Sequence, residues 1–228
     1  MTTAHLTAND TRVRDSVVRQ LEWDPEVDAS AIGVAAKDRA VTLTGYVDTY
    51  AGKLAAERAA KRVRGVRAVA NDIEVRPKLD RTDADIAADA VRSLELRSTV
   101  PENVQAAVHH GHVTLTGKAM WEFQRRDAEK AVRHIRGVRD VINRIELAPM
   151  AVDRDVRHRI VEALHLSADL DARHIVANVT GDLVILSGNV GTWLQRDIAE
   201  RAAGNAPGIR RVDNRITVEP AADDVEIC

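Results

Sequence analysis

The sequence lacks the residues and segments that mark disulfide-stabilised, secreted and membrane-spanning proteins. Its single cysteine, Cys228, excludes a disulfide within the chain and is compatible with a reducing cytosol. No apolar run approaches the roughly 18 residues that suggest a transmembrane helix. The first residues also lack the charged and apolar regions of a secretory signal. We therefore expect a cytoplasmic protein that does not span a membrane, while peripheral association with one stays open.

A surplus of charge of one sign is also missing, because 33 Lys and Arg residues face 35 Asp and Glu residues and the net charge is −2. Without an overall basic field, nucleic acid is not an expected partner. The sequence has no phosphate-binding loop, no nucleophile elbow around Ser187 and no metalloprotease helix. We therefore predict a protein that is not an enzyme and that uses no cofactor.

What the sequence does contain is a threefold internal repeat. Residues 41–45 read VTLTG, residues 113–117 read VTLTG again, and residues 184–188 read VILSG. The repeated glycines are 72 and 71 residues apart, and a period this constant indicates tandem units. We place the units at residues 1–77, 78–149 and 150–220, each ending at a proline, with an acidic tail at 221–228 that is predicted to be disordered. Units this small have marginal cores, so neighbouring units or a second copy of the chain are expected to add stability.

Hydrophobic periodicity predicts the same five elements in every unit. A helical pattern is followed by two alternating stretches joined by a short turn, then a second helical pattern and a third alternating stretch. We therefore predict an α+β fold of three tandem α-β-β-α-β units, each a three-stranded mixed sheet covered by two helices. The first helix is expected to begin at Asn9 and Asp10, with acidic residues near its positive end. The second helices are expected to end at Gly65, Gly137 and Gly208.

The repeated pattern resembles the BON domain (bacterial OsmY and nodulation). In the first unit the resemblance is carried by VTLTG at residues 41–45, by Gly65 and Val66, and by Asn71, Asp72 and Ile73, and it recurs in the other two units. The resemblance covers nearly the whole chain as three copies. It implies a bacterial, non-enzymatic module that binds phospholipid or another ligand in stress-induced, envelope-associated proteins. For this chain it implies binding to anionic phospholipid or an envelope component, in an osmotic or related stress response.

Two other functions fit the sequence. One is a cytoplasmic scaffold that binds a protein partner through sheet edges or helix faces, and the other is a sensor of a small ligand or cation. The missing secretory signal favours a cytosolic partner, whereas the aromatic and basic residues described next favour lipid. Self-association stays open.

Aromatic residues make up only 3% of the chain, yet three of them lie four or five residues after the repeated glycine, at the expected start of the second helix. Basic residues follow each of them. The resulting candidate lipid-binding residues are Tyr50, Lys53, Trp121, Arg125, Arg126, Trp193 and Arg196. An indole beside guanidinium groups could insert at a lipid interface next to phosphates. The alternative is a hydrophobic staple that packs the helix entry against the first helix.

Other repeated residues are predicted to have structural roles. Gly45, Gly117 and Gly188 end the repeated strand, and Asn71, Asn143 and Asn214 fall on the apolar face of the third strand. A buried asparagine needs hydrogen-bond partners, so we expect each to bind the backbone of a neighbouring loop. The cluster His109, His110 and His112 has no counterpart in the other units, and we interpret it as an exposed turn rather than a metal site.

Overall fold

The computed structural model describes residues 2–148, 155–166 and 172–219. The first unit contains helix α1 (Thr2–Trp23), strands β1 (Ile32–Lys37) and β2 (Ala40–Val47), helix α2 (Tyr50–Arg62) and strands β3 (Ala68–Asn71) and β4 (Glu74–Val75). The second unit contains α3 (Asp83–Glu95), β5 (Gln105–His109), β6 (His112–Thr116), β7 (Lys118–Ala119), α4 (Glu122–Val132), β8 (Asp140–Asn143) and β9 (Glu146–Leu147). The third contains α5 (Val156–His165), β10 (Ile175–Thr180), β11 (Leu183–Val190), α6 (Trp193–Gly204) and β12 (Arg211–Val218).

Each unit has a mixed sheet with the repeated strand in its centre. In the first unit, β1 and β2 form an antiparallel hairpin, and β2 also pairs in parallel with β3 and β4. The third unit shows the same arrangement with an unbroken last strand, β12. The predicted α+β fold with repeated α-β-β-α-β units is therefore confirmed. In the first two units the third strand is interrupted after the asparagine, so it consists of two short segments.

The core of a unit lies between its sheet and its two helices. In the first unit, Val13 and Leu21 of α1 pack with Val41 and Leu43 of β2, all buried. The inner face of α2 consists of small residues, and the buried ones are Ala55, Ala56, Ala59 and Ala60. Alanine at these positions allows the helix backbone to lie close to the sheet.

The cores of the first two units are continuous with each other. Their buried residues form one cluster that extends from Val13 to Ile145, whereas the third unit has its own cluster from Val156 to Ile216. Trp193, at the start of α6, packs against the cluster of the first two units. The first and second units are therefore joined by buried apolar side chains, and the third unit contacts them through one of its helices.

The start of the first helix was predicted wrongly. Helix α1 begins at Thr2, so Asn9 and Asp10 lie inside it rather than at its N-terminus. The carboxylate of Asp10 instead accepts hydrogen bonds from the backbone N–H groups of Asp38 and Arg39, at 3.1 and 3.0 Å, in the hairpin turn. The same device recurs in the second unit, where Asp83 accepts from His110 and Gly111. The third equivalent, Asp153, lies outside the described residues.

We expect Asp83→Asn to destabilise the second unit near neutral pH and to have little effect in acid. The N–H groups of Gly111 and His110 donate to the carboxylate and lower the pKa of Asp83 below its ordinary value. A lowered folded-state pKa contributes stability above the unfolded-state value of about 3.9, and this contribution is lost as the pH falls through the folded-state pKa. Urea denaturation at several pH values measures the difference. A gap between variant and wild type that stays constant down to about pH 3 would contradict this role.

The predicted end of the second helix also needs correction. Helices α2, α4 and α6 end at Arg62, Val132 and Gly204, three to five residues before the expected glycines. Gly65, Gly137 and Gly208 instead lie in the connection to the third strand, with φ between +82° and +94°.

Within the described residues, no helix is both long and apolar enough to cross a bilayer.

Candidate functional site

The repeated glycine lies where the second strand of a unit comes close to the start of the first strand. Gly45, Gly117 and Gly188 have φ of +108°, +131° and +129°. A Cβ atom on Gly45 or Gly188 would lie 1.9 Å from the carbonyl oxygen of Ala31 or His174. No other residue type fits this close approach. The prediction that this glycine ends the repeated strand was wrong in the first and third units, where β2 continues to Val47 and β11 to Val190 because the residues after the glycine pair with the last strand.

The repeated asparagine joins the third strand to the second helix. Asn71 Nδ2 donates to the carbonyl oxygen of Lys53, at 3.2 Å, and Asn71 Oδ1 accepts from the N–H of Ile73. Asn143 and Asn214 make the corresponding bonds in their own units, to the carbonyl oxygens of Arg125 and Arg196. The partner is thus the first turn of a helix, where a loop was expected. These bonds fix each helix start relative to its sheet.

Each second helix begins against another unit. We call the residue five positions after the repeated glycine the interface position; it is occupied by Tyr50, Glu122 and Trp193. Tyr50 is only 7% exposed and lies close to the backbone of Val141 in the second unit. Burial raises the pKa of Tyr50 to about 12, and the nearby carboxylate of Asp140 adds to the effect. The phenol ring therefore belongs to the contact between the first and second units.

Trp193 occupies the interface position of the third unit. It is half-buried against the cluster of the first two units, and its Nε1–H makes no hydrogen bond within the described chain. Four residues later, Asp197 pairs with Lys61 of α2 at 3.1 Å. The guanidinium of Arg196 lies 5.1 Å from the centre of the indole ring and donates to the carbonyl oxygens of Asn214 and Ile216. This helix start therefore contacts the first unit.

The contact between the second and third units is built differently. Its interface position is Glu122, because Trp121 lies one residue earlier, at the N-cap of α4. A cavity of about 430 Å³ lies here between α4, α6 and the start of β12. Its apolar wall consists of Leu147, Leu194, Ile209 and Val212. Its charged lining consists of five arginines and three carboxylates: Arg58, Arg125, Arg126, Arg201 and Arg210, with Glu122, Asp197 and Glu200. Asp197 and Glu200 pair with Lys61 and Arg196, which do not line the cavity.

Positive charge in this cavity exceeds what nearby carboxylates pair with. Arg58, Arg125 and Arg210 form ion pairs with Glu26, Glu122 and Asp182, respectively. Arg126 and Arg201 have no ion-pair partner among the described residues. The Nε atoms of Arg58 and Arg126 are buried without a hydrogen bond to the described chain. Burial lowers the pKa of the Arg126 guanidinium, and the positive charge of Arg201 acts in the same direction.

Trp121 points to a different surface from Tyr50 and Trp193. Its ring stacks on Phe123 at a centroid distance of 6.4 Å, and Phe123 and Met120 are 38% and 57% exposed. An indole at the N-cap position cannot accept the helix-capping hydrogen bond that Thr49 and Thr192 accept in the other two units. The second unit therefore has an exposed apolar group at its helix start and lacks one capping bond.

The seven candidate lipid-binding residues do not form one site. Tyr50 and Trp193 lie at two unit contacts, whereas Lys53 and Arg196 form hydrogen bonds within their own units. Arg125 and Arg126 line the cavity, and Trp121 is half-buried beside Phe123. The sequence interpretation missed Arg201 and Arg58, which come from other units. The available signal was the spacing of the aromatic residue, which is one residue shorter in the second unit.

Other basic and imidazole groups have ordinary partners. Lys61 contacts both Glu57 and Asp197, and Arg62 pairs with Asp24. His112 lies 4.0 Å from Asp140. In the part of the chain that the structure describes, no group of three or more His, Cys, Asp or Glu side chains could hold a metal ion.

Comparison with known proteins identifies the repeated unit. The BON domain family matches residues 9–77, 82–149 and 152–220. No curated protein matches the chain. Among solved structures, CdsD, a structural protein of the type III secretion system of Chlamydia trachomatis, is 15% identical over 92% of this chain and 94% of its own, with a TM-score of 0.27. A structure of the CdsD C-terminal domain is 13% identical over 90% and 96%, with a TM-score of 0.26. Because the three family matches cover most of its residues, the chain belongs to the BON domain family and carries three tandem BON domains.

Proposed function

We propose that this protein is a non-enzymatic binding protein that attaches to anionic phospholipid surfaces through the start of α4. The observation that carries the proposal is the apolar group Met120, Trp121 and Phe123, which we call the α4 tip: Met120 and Phe123 are exposed, and Trp121 is half-buried beside them. The membership of the BON family supports it, because the family is associated with phospholipid binding and stress. The proposed setting is the cytoplasmic side of a bacterial membrane during osmotic stress.

The chemistry of the α4 tip suits the interface of a bilayer. A stacked indole and phenyl pair with a flexible methionine beside it can enter the headgroup region, where aromatic side chains are favoured. Each large apolar side chain that is fully removed from water contributes about 1.5–3 kcal/mol. Lys118 is exposed two residues before Met120, and a basic residue near an anionic surface adds about 1 kcal/mol. Binding through one such tip is weak, reversible and sensitive to salt.

The other two helix starts do not take part in this proposal. Tyr50 would reach a bilayer only if the contact between the first and second units opened, and Trp193 packs on the shared core. Membrane attachment is therefore assigned to the second unit alone, through Trp121 and its neighbours.

Trp121→Thr is expected to weaken binding to anionic vesicles by at least about fivefold, because it removes the largest apolar side chain of the tip. Thr is the residue that the chain itself uses at this position in the other units, so it can restore the capping bond. The free energy of unfolding should therefore stay the same or rise by up to about 1 kcal/mol. Co-sedimentation with phosphatidylglycerol-containing vesicles measures binding, and a salt series tests the electrostatic part.

Trp23→Thr is the matched control, since Trp23 is an exposed tryptophan of α1 and is not part of the α4 tip. It should leave sedimentation unchanged. If Trp121→Thr sediments like the wild type, or if anionic lipid gives no binding at low salt, attachment through the tip is refuted.

A second function, a protein-binding scaffold, is favoured by a separate observation. The residue at the end of the first helix is large, apolar and 77–84% exposed in every unit: Trp23, Leu96 and Leu166. Three equivalent exposed side chains on a tandem protein would allow repeated contacts with one partner. This function takes precedence if vesicle binding fails.

A further inference from the structure

The three contacts between units are related by the internal repeat. Tyr50 contacts Val141, which lies 24 residues after the repeated glycine of the second unit. The corresponding pair at the next contact is Glu122 and Val212, and both residues line the region of the cavity. The position sixteen residues after the repeated glycine also lies at a contact in more than one unit. Lys61 of the first unit pairs with Asp197 of the third, and Gly204 of the third unit lines the cavity together with Arg126 of the second. Equivalent positions of the repeat therefore form the contacts between different pairs of units.

Two differences between the units at these equivalent positions create the cavity. At the contact made by α4, a glutamate replaces the aromatic ring of Tyr50 or Trp193, and Gly204 replaces Lys61 or Arg133. Gly204 has free space on this side, because a Cβ atom there would meet Glu122 Cγ and Val212 Cγ2 only at 3.5 and 3.6 Å, which is ordinary contact. The space corresponds to a missing ring, and its volume of about 430 Å³ is within the usual range for small-molecule sites.

The electrostatics of the cavity select the charge of a ligand. At the contact made by α6, Asp197 and Lys61 neutralise each other. At the corresponding place in the cavity, Arg126 lies opposite Gly204, and within the described residues its guanidinium donates only to Asn205. Arg201 lies nearby without a carboxylate partner in the described chain. Two guanidinium groups in a partly buried site attract an anion, and Arg presents a planar fork that suits carboxylate or phosphate oxygens.

We propose that this cavity binds one small aromatic anion, whose ring lies against Leu194, Ile209 and Val212 and whose acidic group contacts Arg126 and Arg201. The ring takes the place that Tyr50 and Trp193 have at the other two contacts. The anion supplies the negative charge that α6 lacks opposite Arg126, where it has Gly204. A bound ligand would touch the second and third units together and so hold their relative position. This site is separate from the α4 tip and does not depend on membrane attachment.

Isothermal titration calorimetry of the full chain with 2-naphthoate tests the proposal. We expect one naphthoate per chain, with 2-naphthylmethanol, cyclohexanecarboxylate and inorganic phosphate each binding at least about tenfold more weakly, because each lacks the charge or the ring. Arg126→Gln should weaken naphthoate binding at least about tenfold. Trp121→Thr should leave it unchanged, which separates this site from the lipid proposal.

Two filling variants and one charge control make the test specific. Glu122→Tyr places the Tyr50 side chain at the corresponding position, and Gly204→Met fills the space from the opposite wall; both should abolish binding. Glu122→Gln keeps the size and removes the negative charge, so binding should be retained or tightened. Circular dichroism confirms that each variant is folded. Absence of naphthoate binding to the wild type, undiminished binding to either folded filling variant, or equally tight binding of cyclohexanecarboxylate or the neutral alcohol would overturn the proposal.

Discussion

Gly188→Ala is expected to destabilise the third unit by more than about 4 kcal/mol, enough to unfold it under mild conditions. The alanine Cβ atom would lie 1.9 Å from the carbonyl oxygen of His174, which directly precedes Ile175, the residue of β10 that pairs with Gly188. Relief would require separating β10 from β11 at this end, since the obstacle is not a side chain that can rotate. The φ of +129° is also unfavourable for any residue with a Cβ atom.

Gly181→Ala is the matched control in the same hairpin. Gly181 lies in the turn between β10 and β11 with φ of +57°, and an added Cβ atom would meet nothing within 4 Å. Its cost should be about 1 kcal/mol, the ordinary penalty for a left-handed alanine. Urea denaturation followed by circular dichroism compares the two variants. Similar midpoints for both would show that the close approach at Gly188 has no large energetic role.

Leu43→Ala and Leu115→Ala are each expected to destabilise the first and second units together, by about 2–5 kcal/mol. Both leucines are fully buried in the single cluster that the two units share. Leu186→Ala should cost a similar amount, but mainly in the third unit, because Leu186 belongs to the separate cluster there. Loss of a buried leucine leaves a cavity that neighbouring side chains fill only partly.

Hydrogen exchange resolved by peptide distinguishes these outcomes. For Leu43→Ala, faster exchange should appear in β6 as well as in β2, whereas for Leu186→Ala it should be concentrated in β11. Exchange confined to the mutated unit in the first two variants would show that their cores unfold independently. Equal acceleration in all three units for every variant would contradict a separate third core.

Much of the fold could be predicted because its signals are local. The alternation of Val41 and Leu43 with threonines, and the alanines of α2, recur three times, so one pattern is supported by two others. The position of Asn71 indicated a hydrogen-bonding role, but its acceptor is a carbonyl 18 residues away. That partner depends on how α2 packs on the sheet, and the residue pattern of β3 carries no information about this packing.

The contacts between units were the part that the sequence could not give. Helix amphipathicity shows which face of α4 is buried, but not that Glu122 faces Gly204 of another unit. The displaced Trp121 was visible as a spacing of four residues in place of five. Its meaning depends on the packing of α4 against α6, because only there does the exchange of an aromatic ring for a carboxylate leave a cavity.

The continuous cluster of the first two units has a consequence for synthesis on the ribosome. Tyr50 is buried against Val141, and these residues are made far apart in time. At about 5–20 residues per second, the 91 residues from Ala51 to Val141 take roughly 5–18 s to add. During that interval the newly made first unit exposes apolar surface that its neighbour will later cover. The second unit thus covers the exposed apolar surface of the first during translation, and the third unit then folds around its own core.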